Sequence, residues 1–135
     1  MLVVDTSAVL GALVGRPPDR RLVDRLSSGG DLCAPHLLDV ELLDALRRLV
    51  IGGQLSEDHR AADARNDFAD LAVDRYDHVG LADRTWELRH NLTAADAAFV
   101  ALAELLGVPL VTCDARLADA PGNRAVTELY EGAGG

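Results

Sequence analysis

The sequence predicts an α/β fold with a central, mostly parallel sheet. Short apolar runs at 2–5, in DLCAP at 31–35 and in PLVTC at 109–113, have the length and composition of buried strands. Longer segments between them carry apolar residues at the helical period. Strands that alternate with helices imply parallel pairing through right-handed crossovers.

The elements follow in order. Strand one covers 2–5 and a helix follows near 7–14, broken by Gly15-Arg16-Pro17-Pro18. Asp19 can cap a helix over 20–28, which Ser28-Gly29-Gly30 closes. Strand two spans 31–34 and stops before Pro35. A long helix over 36–51 keeps Leu38, Leu42, Leu46 and Leu49 in register, with Ala45 between, until Gly52-Gly53. Ser56-Glu57-Asp58 opens another helix that reaches Leu71, and 72–76 reads as a short edge strand. A helix around 80–90 carries Leu81, Trp86 and Leu88. Thr93 opens a helix to Leu106, with Gly107 as its stop. The strand at 109–113 runs into Asp114, then come a short helix, Ala115 to Ala118, and a last strand. The Gly-rich C-terminus is expected to fray.

With 135 residues the natural organisation is a single domain over 1–135, large enough to bury a core of Leu, Val and Ala. No apolar stretch approaches the ~18 residues that span a bilayer. No charged leader precedes a hydrophobic segment, so no membrane association and a cytoplasmic location are expected. Cys33 and Cys113 lie in strand-like runs, and whether they pair is left open. The net charge of −9 argues against nucleic acid at face value. All 13 basic side chains are Arg, which excludes any lysine-dependent mechanism, and several cluster: Arg16, Arg20, Arg21 and Arg25, then Arg47 and Arg48. These read either as solvated helix faces or as a track for phosphates.

Four carboxylates break their local pattern. Asp5 ends the first strand and Asp114 the strand at 109–113, so both would project into the crevice beyond the carboxyl ends of parallel strands. Glu41 is flanked by Leu37, Leu38, Leu42 and Ala45 on its helix. Asp96 has Leu92, Thr93, Phe99 and Val100 as helical neighbours. Each has a plain structural alternative. Asp5 and Asp114 can be N-caps, Asp96 can complete a capping box with Thr93, and Glu41 can sit at the border of an apolar stripe. If the four converge, like charges raise one another's pKa unless a cation intervenes. Oxygen donors alone suit a hard ion such as Mg²⁺ or Mn²⁺, and the chemistry that follows is phosphoryl displacement by an activated water. Thr6, Ser7 and Thr112 can supply hydroxyls that orient the carboxylates.

The residues that carry this pattern, MLVVDTSAVL, DVELLDALRR, RHNLTAADAAFVALAELLG and PLVTCDARLA, resemble the PIN-domain ribonucleases, and specifically the VapC toxins of bacterial toxin–antitoxin pairs. The resemblance covers nearly the whole chain. It implies a PIN-like three-layer α/β/α arrangement. It implies that Asp5, Glu41, Asp96 and Asp114 are catalytic, that Asp5, Asp96 and Asp114 bind one or two Mg²⁺ or Mn²⁺ ions, and that RNA is cut to leave a 5′-phosphate and a 3′-hydroxyl. Asn91, Thr112 and Arg116 match polar positions of the family, and Arg116 could meet phosphate, the partner or Asp119. Two departures stand out: Ala95 where many relatives carry Tyr, and Arg116 where some carry a further acid. The implied partners are RNA, a second copy of the chain and a VapB-type antitoxin. That antitoxin's C-terminal segment would wrap the apolar helices after strand two and point an Arg at the acidic pocket.

Two other readings compete. A phosphatase with Asp5 as nucleophile would want a second Asp where Ser7 stands, and a lysine. A catalytically degenerate PIN fold would act only as an antitoxin-binding module, or meet DNA only through that complex.

Overall fold

The computed structural model describes residues 1–28 and 30–131. Five strands form one sheet in the order β3-β2-β1-β4-β5, and every pair is parallel. They are β1 (Leu2–Val4), β2 (Leu32–Pro35), β3 (Val73–Tyr76), β4 (Leu110–Thr112) and β5 (Thr127–Leu129). The central strands β1, β2 and β4 are buried throughout, as covered parallel strands must be. Val3 registers against Cys33 on one side and Leu110 on the other.

Among the described residues, seven α-helices surround the sheet: α1 (Thr6–Val14), α2 (Arg20–Ser28), α3 (Leu37–Ile51), α4 (Ala62–Asp70), α5 (Ala82–Glu87), α6 (Ala94–Leu106) and α7 (Ala115–Ala118). Seven consecutive residues of α6, Ala97 to Ala103, are buried, and this helix packs on β1, β2 and β4 with α5 outside it. α1 packs against α3 and α4. The two helical groups sandwich the sheet, giving the expected three-layer α/β/α arrangement. Gly107 adopts φ 67°, and its N–H closes on the carbonyls of Ala103 and Glu104, which is the left-handed stop the sequence signals.

From β1 the chain moves to β2 and β3 on one side, then returns to place β4 and β5 on the other. The order therefore reverses between β1 and β4. At such a switch point the crossovers leave in opposite directions and open a crevice beyond the strand ends. Asp5 directly follows β1 there, and Cys113 alone separates β4 from Asp114.

The sheet is wholly parallel, in keeping with the expected mostly parallel class. Some helices differ from expectation. The helix expected from 56 opens with a π-helical turn, Glu57–Ala61, in which Ser56 Oγ accepts from the Arg60 N–H. The helix expected over 80–90 is a 3₁₀ turn, Val79–Leu81, followed by the short α5. Leu81 and Leu88, seven residues apart, face inward, whereas Trp86 is 68% exposed because five residues from Leu81 is well round the helix. Both cysteines are free. The expected C-terminal fraying concerns residues 132–135, outside the described residues, as is Gly29 of the α2 stop. Among the described residues no helix is long and apolar enough to cross a membrane.

Candidate functional site

Asp5 is the N-cap of α1: its Oδ1 accepts the Ala8 N–H at 2.9 Å and the Ser7 hydroxyl at 2.7 Å. Its Oδ2 accepts the Thr112 hydroxyl at 2.5 Å. Each hydroxyl has one proton, and both protons go to Asp5. Ser7 Oγ and Thr112 Oγ1 are then left as acceptors, and they take the N–H groups of Cys113 and Asp114 at 2.9 and 3.0 Å. One carboxylate and two hydroxyls thus stitch the carboxyl ends of β1 and β4 together. Asp5 is only 4% exposed. Burial pushes its carboxyl up to about 6; the three hydrogen bonds oppose this, and the charge of Asp114 adds to it.

The other acids come from three further segments. Glu41, on α3, accepts the Thr6 hydroxyl on Oε1 at 2.7 Å. Asp96 lies in the first turn of α6, where its N–H is capped by Thr93 Oγ1 at 3.2 Å. Burial pushes the Asp96 carboxyl up, the bond with Thr93 opposes this, and Asp114 adds to it. Asp114 caps α7, accepting the Arg116 N–H on Oδ1 at 2.9 Å, with the Arg116 guanidinium 3.3 Å from Oδ2. Asp5, Asp114 and Thr93 therefore are caps, as their plain alternatives required. The carboxylates nevertheless share one cavity, because capping uses some lone pairs of an acid and leaves its position free for other work.

That cavity, about 450 Å³, is lined by Asp5, Thr6, Ser7, Glu41, Asp96 and Asp114. Thr112 stands behind it, fully buried against Asp5. Arg116 is exposed and meets Asp114 rather than Asp119. Asn91 does not line the cavity; its amide donates to the Pro121 carbonyl at 3.1 Å. Asp44 and Arg48 also line the cavity; the sequence assigns Asp44 no part in the site, and leaves Arg48, paired with Arg47, as either a solvated face or part of a phosphate track. The signal was present: they follow Glu41 by three and seven residues and so share its helix face.

Among the described residues, no three His, Cys, Asp or Glu side chains stand close enough to grip a metal ion. In donor chemistry the cavity still fits a hard cation. The acids that line it offer oxygen alone, and two of them, Asp5 and Asp96, are held up by burial and a neighbouring negative charge. A divalent ion would relieve that conflict.

The profile of the PIN domain family matches residues 2–123. Ribonuclease VapC1 of Mycobacterium tuberculosis is 46% identical over 121 residues, covering 89% of this chain and 90% of that one. Ribonuclease VapC12 of the same species is 40% identical over 129 residues, covering 96% and 98%. Among solved structures, VapBC2 from Rickettsia felis bound to a DNA fragment from their promoter aligns with a TM-score of 0.67 at 13% identity, covering 96% of this chain and 98% of that one. That likeness is one of fold.

Proposed function

This chain belongs to the PIN-domain family, among its VapC ribonucleases, and we propose that it is a metal-dependent endoribonuclease toxin neutralised by a VapB-type antitoxin. The observation that carries this reading is the meeting of Asp5, Glu41, Asp96 and Asp114, from four separate segments, in one cavity at the β1/β4 switch point. The 40–46% identity to ribonucleases over most of the chain supports it.

In this reading Asp5, Asp96 and Asp114 hold Mg²⁺ or Mn²⁺, one ion or two. Bound there, the ion would activate a water and steady the charge of an in-line displacement at phosphorus. The protein's own residues prepare the place. Thr112 and Ser7 fix both oxygens of Asp5. Thr93 anchors Asp96 at the first turn of α6, where the helix dipole favours a carboxylate. Glu41, steadied by Thr6, faces the same cavity and is placed to take the proton of the attacking water. The acid cluster, buried on one side, makes the site unwelcoming to RNA until charge is neutralised.

A second, larger groove of about 610 Å³ runs between α3 and the turn before α4, lined by Leu43, Leu46, Val50, Ile51 and Ala61. Its apolar floor suits an amphipathic segment of the antitoxin. A homodimer in the cytoplasm completes the reading.

Incubation of the purified chain with Mg²⁺ or Mn²⁺ and a mixed RNA pool tests it. Cleavage to 5′-phosphate ends is expected, and it should vanish in chelator and in folded D5N and D96N variants. The alternative is a PIN fold that only binds antitoxin. Failure to cut any RNA under varied metals, with antitoxin binding intact, would establish that alternative instead.

A further inference from the structure

We propose that Arg48 is a substrate-positioning residue that holds an RNA backbone phosphate beside the acidic cavity. The inference rests on the ribonuclease reading. One face of α3 lines the cavity through Glu41, Asp44, Ala45 and Arg48. Along that face the charge changes sign, from the Glu41 carboxylate to the Arg48 guanidinium seven residues on.

The arginines of this chain fall into different states. Arg25, Arg75 and Arg84 each donate two hydrogen bonds to one carboxylate, those of Glu128, Asp39 and Glu104. Those forks are spent on the fold. Arg48 is not held in this way. Its closest carboxylate, Asp44, lies at 3.8 Å, while Asp44 takes its short bond of 2.8 Å from Arg47. Asp44 therefore has a partner without Arg48, and the Arg48 side chain is 68% exposed. Arg116, also near the acids, lies against Asp114 and is absent from the lining.

An acidic cavity in a chain of net charge −9 repels a polyanion. A cation bound among the acids would neutralise the phosphate being cut. The neighbouring phosphates would still meet Asp44 and Glu41 unless a fixed positive charge stands there. A guanidinium offers planar paired donors that match phosphate oxygens. Arg48 supplies that charge at the cavity wall, on α3, with its guanidinium 3.8 Å from Asp44 and so short of a hydrogen bond to it.

The test measures binding and turnover separately. Anisotropy of a labelled mixed-sequence single-stranded RNA, titrated with full-length chain in the cleavage-silent D96N background, reads binding directly. Adding Arg48→Ala should weaken it by ~5-fold at low salt and lower the salt slope by ~0.7, the value for one phosphate contact on a single strand. Arg48→Lys should keep the slope. Arg124→Ala removes the same charge beside Glu104 and Gly107, at the end of α6 opposite to Asp96, and should leave Kd within ~2-fold, since distant screened charges contribute little. In the cleaving enzyme, R48A should raise KM and spare kcat. Equal effects of R48A and R124A, or an unchanged slope in R48A, would overturn the proposal. If the unsubstituted chain cuts no RNA, the ribonuclease reading falls, and anisotropy still decides whether Arg48 meets RNA.

Discussion

The Thr112 hydroxyl donates to Asp5 Oδ2 at 2.5 Å, joining the end of β4 to the end of β1 across the switch point of the sheet. Both residues are buried, so the bond is largely shielded from water. Thr112→Val keeps the shape and removes the donor. It leaves a buried carboxylate short of one bond and the Asp114 N–H short of its acceptor. Leaving buried polar groups unpaired costs ~1–3 kcal/mol. Denaturant unfolding at neutral pH should show that loss, and the Asp5 carboxyl should move further above its present value of about 6. An unfolding midpoint equal to that of the unsubstituted chain would mean that water replaces the hydroxyl.

Burial raises the Asp5 carboxyl from an ordinary 3.8 to about 6, so the folded chain binds this proton more tightly than the unfolded chain does. Stability from this group is then full at acid pH, falls as pH rises from about 4 to about 6, and is flat above that. The decline is on the order of 3 kcal/mol for a change of this size. Asp39 and Glu128, whose carboxyls are held down by Arg75 and Arg25, act in the opposite direction. The difference between the parent chain and D5N isolates Asp5. In chelator, D5N should gain on the parent as pH rises through that window, and parallel stability profiles would remove burial as the cause.

Much of this arrangement was legible in the sequence, because the signals were short and local. Three apolar runs gave β1, β2 and β4, and Asp5 and Asp114 mark where two of them end. Gly107 and Thr93 bracket α6 by their own backbone chemistry. What escaped the reading depended on partners far along the chain. Trp86 falls on the expected helix with Leu81 and Leu88, yet those two leucines, flanking α5, face inward and leave it outside. Asn91 sits shortly before Asp96 in sequence, but its amide is taken by the carbonyl of Pro121, thirty residues on. Asp44 shares the face of Glu41, but nothing local says that this stretch borders a cavity, nor whether Arg48 on the same face is solvated or meets phosphate.

Metal should stabilise the parent chain, because it would bind the folded acids and relieve their repulsion. The melting temperature is expected to rise with Mg²⁺ or Mn²⁺ concentration, and the rise should shrink below about pH 6, where Asp5 takes a proton in the cation's place. D114N removes the charge that raises both Asp5 and Asp96. It should melt higher than the parent in chelator and gain little from metal. A parent chain indifferent to either ion across pH would count against a cation among these acids.

Thr93 caps α6 through a bond to the backbone of the acid it presents, Asp96. Thr93→Ala should cost ~1 kcal/mol, the usual price of an N-cap. The loss of RNA cleavage should exceed what that destabilisation explains, because the first turn of α6 would fray where Asp96 is attached. Burial of Ala97 to Ala103 keeps the helix itself in place. Thr93→Ser restores the hydroxyl and should restore both stability and cleavage. Melts and cleavage rates measured on the same samples separate the two effects. If T93A loses stability but cuts RNA at the parent rate, the cap serves the fold alone and Asp96 is held by its packing.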